Sequence, residues 1–178
     1  GIVVDDTKAK LQGNWKSSTF NDGYVGSRYI HDEGKGKGSK SVTFPVKIPK
    51  DGEYEVQVSY THGTNRAPKV PVTIYHDTGE KTVFINQTKA GPILGSFISL
   101  GRFYFEEGEW NVVKINTKDT EAVVIADSIR LLPSGEKRSP AKVVKNDKPK
   151  PDDPKGENKK EKRKALNEQV QEQKKKIA

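Results

Sequence analysis

The chain contains no cysteine and no methionine. Without Cys it has neither a disulfide framework nor a thiolate metal centre, and the redox compartment stays open. No apolar run approaches the ~20 residues that a membrane-spanning helix needs. The first residues do not read as a secretory signal. Asp5 stands where a myristoylation signal beginning at Gly1 requires Ser or Thr. A chain without Met, whose last pattern breaks off part-way, is expected to be a piece of a longer protein. Aromatic residues are absent from Ser134 onward.

Charge divides at the same point. Residues 1–133 carry 17 Lys and Arg against 16 Asp and Glu, whereas residues 134–178 carry 15 against 8. The chain therefore reads as a near-neutral folded domain over 1–133 followed by a basic tail. Residues 134–157, rich in Pro, Lys and Asp, read as a solvated linker. Residues 158–178 form a charged segment with one weak apolar face, Leu166, Val170 and Ile177, compatible with a helix. A tail of this kind attracts polyanions without sequence preference, and it lacks the aromatics that stack on bases. The near-neutral domain lacks the basic stripe of a phosphate-backbone binder. No specific nucleic-acid partner is expected.

Helical periodicity is also missing before Pro133. In its place come short runs with a period of two, separated by turn residues. Val42, Phe44, Val46 and Ile48 alternate, with Pro45 on the other face marking an edge or a bulge. Tyr54, Val56, Val58 and Tyr60 follow the turn at Pro49–Gly52. Val70, Val72, Ile74 and His76 run into a hairpin at Asp77–Glu80, which returns with Val83 and Ile85 inward. Ile98–Phe105 and Trp110–Asn116 are two further strands. Ala122–Leu132 reads as one last strand, and Ile2–Val4 as a first strand pairing beside it. Lys8–Gly13 reads as a loop. Eight to ten short strands with this spacing predict an all-β sandwich or barrel. Glu33–Lys40, EGKGKGSK, is a glycine loop that matches neither the phosphate-loop nor the dinucleotide pattern.

Asn14–Asp32 departs from the alternating code. It holds Trp15, Phe20, Tyr24, Tyr29 and His31 with Gly23 and Gly26, and very few aliphatic residues. Flat apolar rings beside amides, hydroxyls and flexible glycines are the chemistry of a binding loop. The C–H face of a pyranose suits an aromatic plane, and its hydroxyls suit planar amide, carboxylate or guanidinium partners. Trp15, Tyr24, Tyr29 and His31, with Asn65 and Arg66 from a neighbouring turn, are the candidate ligand-binding residues; Asn14 and Asp32 offer further polar groups. The alternative is that these rings fill the open end of the sandwich. Arg66 then pairs with backbone carbonyls or a carboxylate.

Other chemistry has thin support. His31, His62 and His76 lack the close ligand spacing of a zinc site. Asp5, Asp6 and Asp127, near the two terminal strands, are the candidate ligands of a structural calcium ion; acidic caps on strand ends are the other reading. The serines have no nucleophile-elbow context. Glu106 and Glu107 sit in a turn rather than across a cleft, as glycosidase carboxylates must. The domain is not expected to be an enzyme.

Trp15, GYVGSRYIHD, the Ser59–Thr73 segment with NRAPKVPVT, VFINQ and ADSIRLLP together resemble the golvesin C-terminal-like, xanthan-lyase carbohydrate-binding-like family over about residues 2–133. The resemblance implies a galactose-binding-like jelly roll appended to a large exported bacterial protein, located outside the cell, at its surface or in the periplasm. It implies a polysaccharide ligand, of which an anionic one would suit Arg66. A module that packs against neighbouring domains or subunits is the other role in keeping with the residues.

Overall fold

The computed structural model describes residues 1–134. The expected linker, 134–157, and charged segment, 158–178, lie outside the described residues apart from Ser134.

Twelve strands and one 3-10 turn follow in order: β1 (Ile2–Asp5), the turn Asp6–Lys8, β2 (Lys10–Gln12), β3 (Lys16–Ser18), β4 (Tyr29–His31), β5 (Ser41–Ile48), β6 (Gly52–Ser59), β7 (Val70–His76), β8 (Gly79–Ile85), β9 (Phe97–Phe105), β10 (Gly108–Asn116), β11 (Ile125–Ala126) and β12 (Ser128–Pro133). One sheet has the order β1-β12-β6-β9, a second β2-β5-β10-β7-β8, and a small third β11-β4-β3. Every named pairing is antiparallel. The long strands alternate because their apolar sets line the inner faces of a sandwich. Val42, Phe44, Val46 and Ile48 of β5 are buried, as are Val70, Val72 and Ile74 of β7 and Tyr54, Val56 and Val58 of β6. Their side chains join Phe103 and Phe105 of β9 and Ile129 and Leu131 of β12 in one core. The expected all-β jelly-roll sandwich is the fold observed.

Register shifts shape two long strands. Between Asn111 and Val113, strand β10 carries one residue more than β5, directly beside the pairing of Asn111 with Pro45. Pro45 thus sits at a bulge, where its missing N–H matters least. The second shift lies between Val56 and Gln57 of β6. As expected, β1 pairs with the last strand, Ile2 opposite Leu131 and Asp5 opposite Ser128.

Three expectations are corrected. Lys8–Gly13 is not simply a loop: it contributes to the 3-10 turn and to β2, whose three residues are all exposed and so carry no alternation. Ala122–Leu132 is not one strand. It breaks at Asp127 into β11, which pairs with β4, and β12, which pairs with β6. Asp127 is buried where the chain changes sheets. The strand count accordingly exceeds the eight to ten expected.

Candidate functional site

The small sheet β11-β4-β3 carries the centre of the aromatic stretch. Lys16 of β3 pairs with His31 of β4, and Ser18 with Tyr29. On the other side His31 pairs with Ile125 of β11. Beyond β11 lies the turn 63–67, joined by Val123 N–H to Asn65 O and Ala67 N–H to Val123 O. These bonds bring Asn65 and Arg66 to the small sheet from more than thirty residues away in sequence.

Gln87 makes that junction rigid. It is completely buried. Its side-chain amide accepts from Ile125 N–H at 2.8 Å and donates to Ile125 O at 2.8 Å, as a neighbouring strand would. Its own backbone donates to Ala67 O and accepts from Gly63 N–H. One residue therefore ties β11 to the turn bearing Asn65 and Arg66. It lies in VFINQ, where the signal available was a long amide two positions after the inward Ile85, on the same side of the alternation.

Three rings form a row. Tyr24 and Tyr29 have centroids 6.0 Å apart and are tilted, and Tyr29 and His31 are 6.5 Å apart. The Arg66 guanidinium carbon stands 5.9 Å from the Tyr29 centroid. Arg66 Nε donates to Thr61 O, its Nη2 to Thr61 Oγ1, and its Nη1 to Asn65 Oδ1 at 2.7 Å. Thus Arg66 is buried and held by backbone and neighbours, while Asn65 is exposed. His31 is half-buried, and its Nδ1 accepts from Glu33 N–H at 3.2 Å. This places a ring proton on Nε2 as a donor. Burial lowers the His31 pKa, Glu33 opposing and the Arg66 and Lys16 charges adding to the lowering.

The candidates divide by exposure. Tyr24 and His31 are half-buried and Asn65 is exposed, so all three reach solvent. Trp15, also half-buried, packs on the core and donates its indole N–H to Gln12 O at 3.0 Å. Tyr29 is only 2 % exposed, so its ring supports the row instead of offering a face. Its hydroxyl holds Asn21 through both the backbone N–H and the side-chain oxygen. Asp32 is fully buried as well. Its Oδ1 accepts from Gly34 and Val124 N–H, and its Oδ2 from Lys37 at 2.6 Å. Asp32 is therefore spent on the fold. Phe20, in the same loop as Tyr24, is 90 % exposed.

A second cluster lies at the other end of that loop. One carboxylate oxygen each from Asp5, Asp6 and Asp127 falls within 4.8 Å of the others. Asp5 caps the 3-10 turn, Asp6 opens it, and Asp127 sits at the break between β11 and β12. Burial pushes Asp127 up to about 7, against donation by Val25 and Ser59 and helped by the charges of Asp5 and Asp6. Burial, then the neighbouring Asp5 carboxylate, raises Asp6 to about 6, with Arg28 opposing.

Comparison with known proteins assigns this architecture. The Golvesin C-terminal domain family model matches residues 2–133. The chain belongs to that family. It is 31% identical over 140 residues to the xanthan lyase of Bacillus sp. strain GL1, across 75% of this chain and 15% of that protein. The solved structure of Paenibacillus xanthan lyase is similar at 35% identity and a TM-score of 0.70, over 74% of this chain and 13% of that one. A family 35 carbohydrate-binding module from Clostridium thermocellum shares the fold at 16% identity and a TM-score of 0.53, over 75% of this chain and 98% of the module. The golvesin-family domain thus spans a small fraction of the lyases that it resembles, and nearly the whole of a stand-alone module.

Proposed function

We propose that this golvesin-family domain is a non-catalytic module that binds polysaccharide and holds a larger exported protein on it. The observation that carries the reading is the convergence of Tyr24, His31 and Asn65 on the buried Tyr29–Arg66 pair. The exposed part of the Tyr24 ring offers a stacking face, and His31 Nε2–H and the Asn65 amide offer donors to ring hydroxyls. Arg66, already bonded, positions Asn65. The likeness to xanthan lyases and to a carbohydrate-binding module supports the same reading.

Affinity electrophoresis on xanthan, alginate and neutral glucans tests it. Running the chain at ~1 M salt, where the Debye length is about 3 Å, removes unspecific attraction by the basic tail. Retardation on at least one polymer is expected, weakened in Asn65→Ala. No retardation on any of them overturns the reading.

A second reading rests on Phe20. A ring 90 % exposed on a loop is a natural contact for a neighbouring domain or subunit. On that reading the module packs within a longer extracellular protein, and no polymer retards it.

A further inference from the structure

The acidic cluster has a property that a set of strand-end caps lacks. Each of its carboxylates is divided in the same way. Asp5 Oδ2 accepts from the backbone N–H and hydroxyl of Thr7. Asp6 Oδ2 accepts from Arg28 Nε at 3.1 Å. Asp127 Oδ2 accepts from Val25 N–H at 2.9 Å and Ser59 Oγ at 3.0 Å. In all three the other oxygen, Oδ1, is buried and has no hydrogen-bond partner. Asp6 and Asp127 are 2 % and 0 % exposed, so these oxygens have left water without gaining a protein donor. A buried acceptor without a partner is costly, and three together repel one another.

We propose that Asp5, Asp6 and Asp127 bind a calcium ion through these Oδ1 atoms. The donor set is all oxygen and carries three formal negative charges, of which Arg28 offsets one. Hard cations take such donors, and calcium holds its oxygens at about 2.3–2.6 Å. Oxygens on one such ion can stand up to ~5 Å apart, which the observed 4.8 Å limit meets. The Oδ2 donors fix each carboxylate plane, the role that outer-shell hydrogen bonds play at metal sites.

The ion would secure the loop between β3 and β4. Asp127 holds that loop at Val25, Asp6 holds it at Arg28, and a Cβ on Gly26 would come within 3.1 Å of Asp5 Oδ1. Gly26 has φ +72°, so only glycine lets the chain pass this close to the carboxylate without strain. The loop also carries Phe20 and Tyr24. Calcium binding is read without any sugar, so its failure is distinguishable from failure of the polysaccharide reading.

The test uses the full chain stripped with chelator and titrated with calcium chloride by calorimetry and thermal unfolding, with magnesium chloride as the control. Saturable binding, a higher Tm and slower chymotryptic cleavage at Phe20 and Tyr24 are expected with calcium. Asp5→Asn keeps the turn cap and Asp127→Asn keeps an acceptor for Val25; each should weaken calcium binding more than about ten-fold. No heat and no Tm shift with calcium overturns the proposal. So does an equal shift with magnesium, or unchanged calcium affinity in a folded Asp5→Asn variant.

Discussion

The guanidinium carbon of Arg66 lies 5.9 Å from the centre of the Tyr29 ring, and both residues are buried. The pair joins two distant parts of the chain: Tyr29 belongs to β4, and Arg66 to a turn that reaches the small sheet through Val123. Arg66→Lys keeps the charge but loses the planar fork that serves Thr61 and Asn65. A loss of about 1–3 kcal/mol is expected, since charged hydrogen bonds and the ring contact go together. Urea unfolding checks this, and an unchanged midpoint would show that Arg66 is held less tightly than its contacts imply.

Gln87 makes a sharper case, because leucine fills similar volume without an amide. Gln87→Leu leaves the backbone N–H and C=O of Ile125 without their partners, both in a fully buried position. The expected cost is about 2–4 kcal/mol. Hydrogen exchange should also quicken at Gly63, Arg66 and Ala67, the turn that Gln87 ties down. If stability falls while exchange there is unchanged, Gln87 serves the core and not the turn.

The long strands were legible because burial on one face writes a period of two into the sequence. Val42 to Ile48 and Tyr54 to Tyr60 state their inward sets directly. Lys10–Gln12 was not legible, since a strand with every residue exposed has no face to mark. The break at Asp127 was hidden for the opposite reason. Residues 124 to 129 are all buried, Asp127 and Ser128 included, so no exposed residue marks the change of sheet. The aromatic loop was found by composition, but composition does not order rings by depth. Tyr29 lies at 2 % exposure and Phe20 at 90 %, and nothing local separates them. Asp32 resembled a ligand group because a buried carboxylate with three donors reads in sequence like an exposed one.

His76 should make the fold sensitive to acid. It is buried, stacks on Phe103 with centroids 5.0 Å apart, and its Nε2 has no hydrogen-bond partner. Burial lowers its pKa below 6.5, outweighing the opposing effect of Asp77. The folded state then resists a proton that the unfolded state accepts. The stability tied to neutral His76 is present above pH ~6.5 and is lost as pH falls through the unfolded value towards the folded one. Urea midpoints for wild type and His76→Phe, compared from about pH 8 to about pH 5, isolate this contribution. The variant's curve should fall less steeply on the acid side; parallel curves would remove His76 as the cause.

Tyr24 and Phe20 share a loop but should answer two different measurements. Phe20 contacts little at 90 % exposure, so Phe20→Ala is expected to change stability by less than about 0.5 kcal/mol. Tyr24 packs on the core and on Tyr29, so Tyr24→Ala should cost about 1–2 kcal/mol. Polysaccharide binding should separate them further. If sugar rings stack beside His31 and Asn65, Tyr24→Ala weakens retardation several-fold, while Phe20→Ala leaves it intact. Arg66→Lys provides the check on mere loosening, because it disturbs the same framework without removing the Tyr24 ring. Retardation lost in Phe20→Ala and kept in Tyr24→Ala would move the binding surface to the tip of the loop, away from the Tyr29–Arg66 pair.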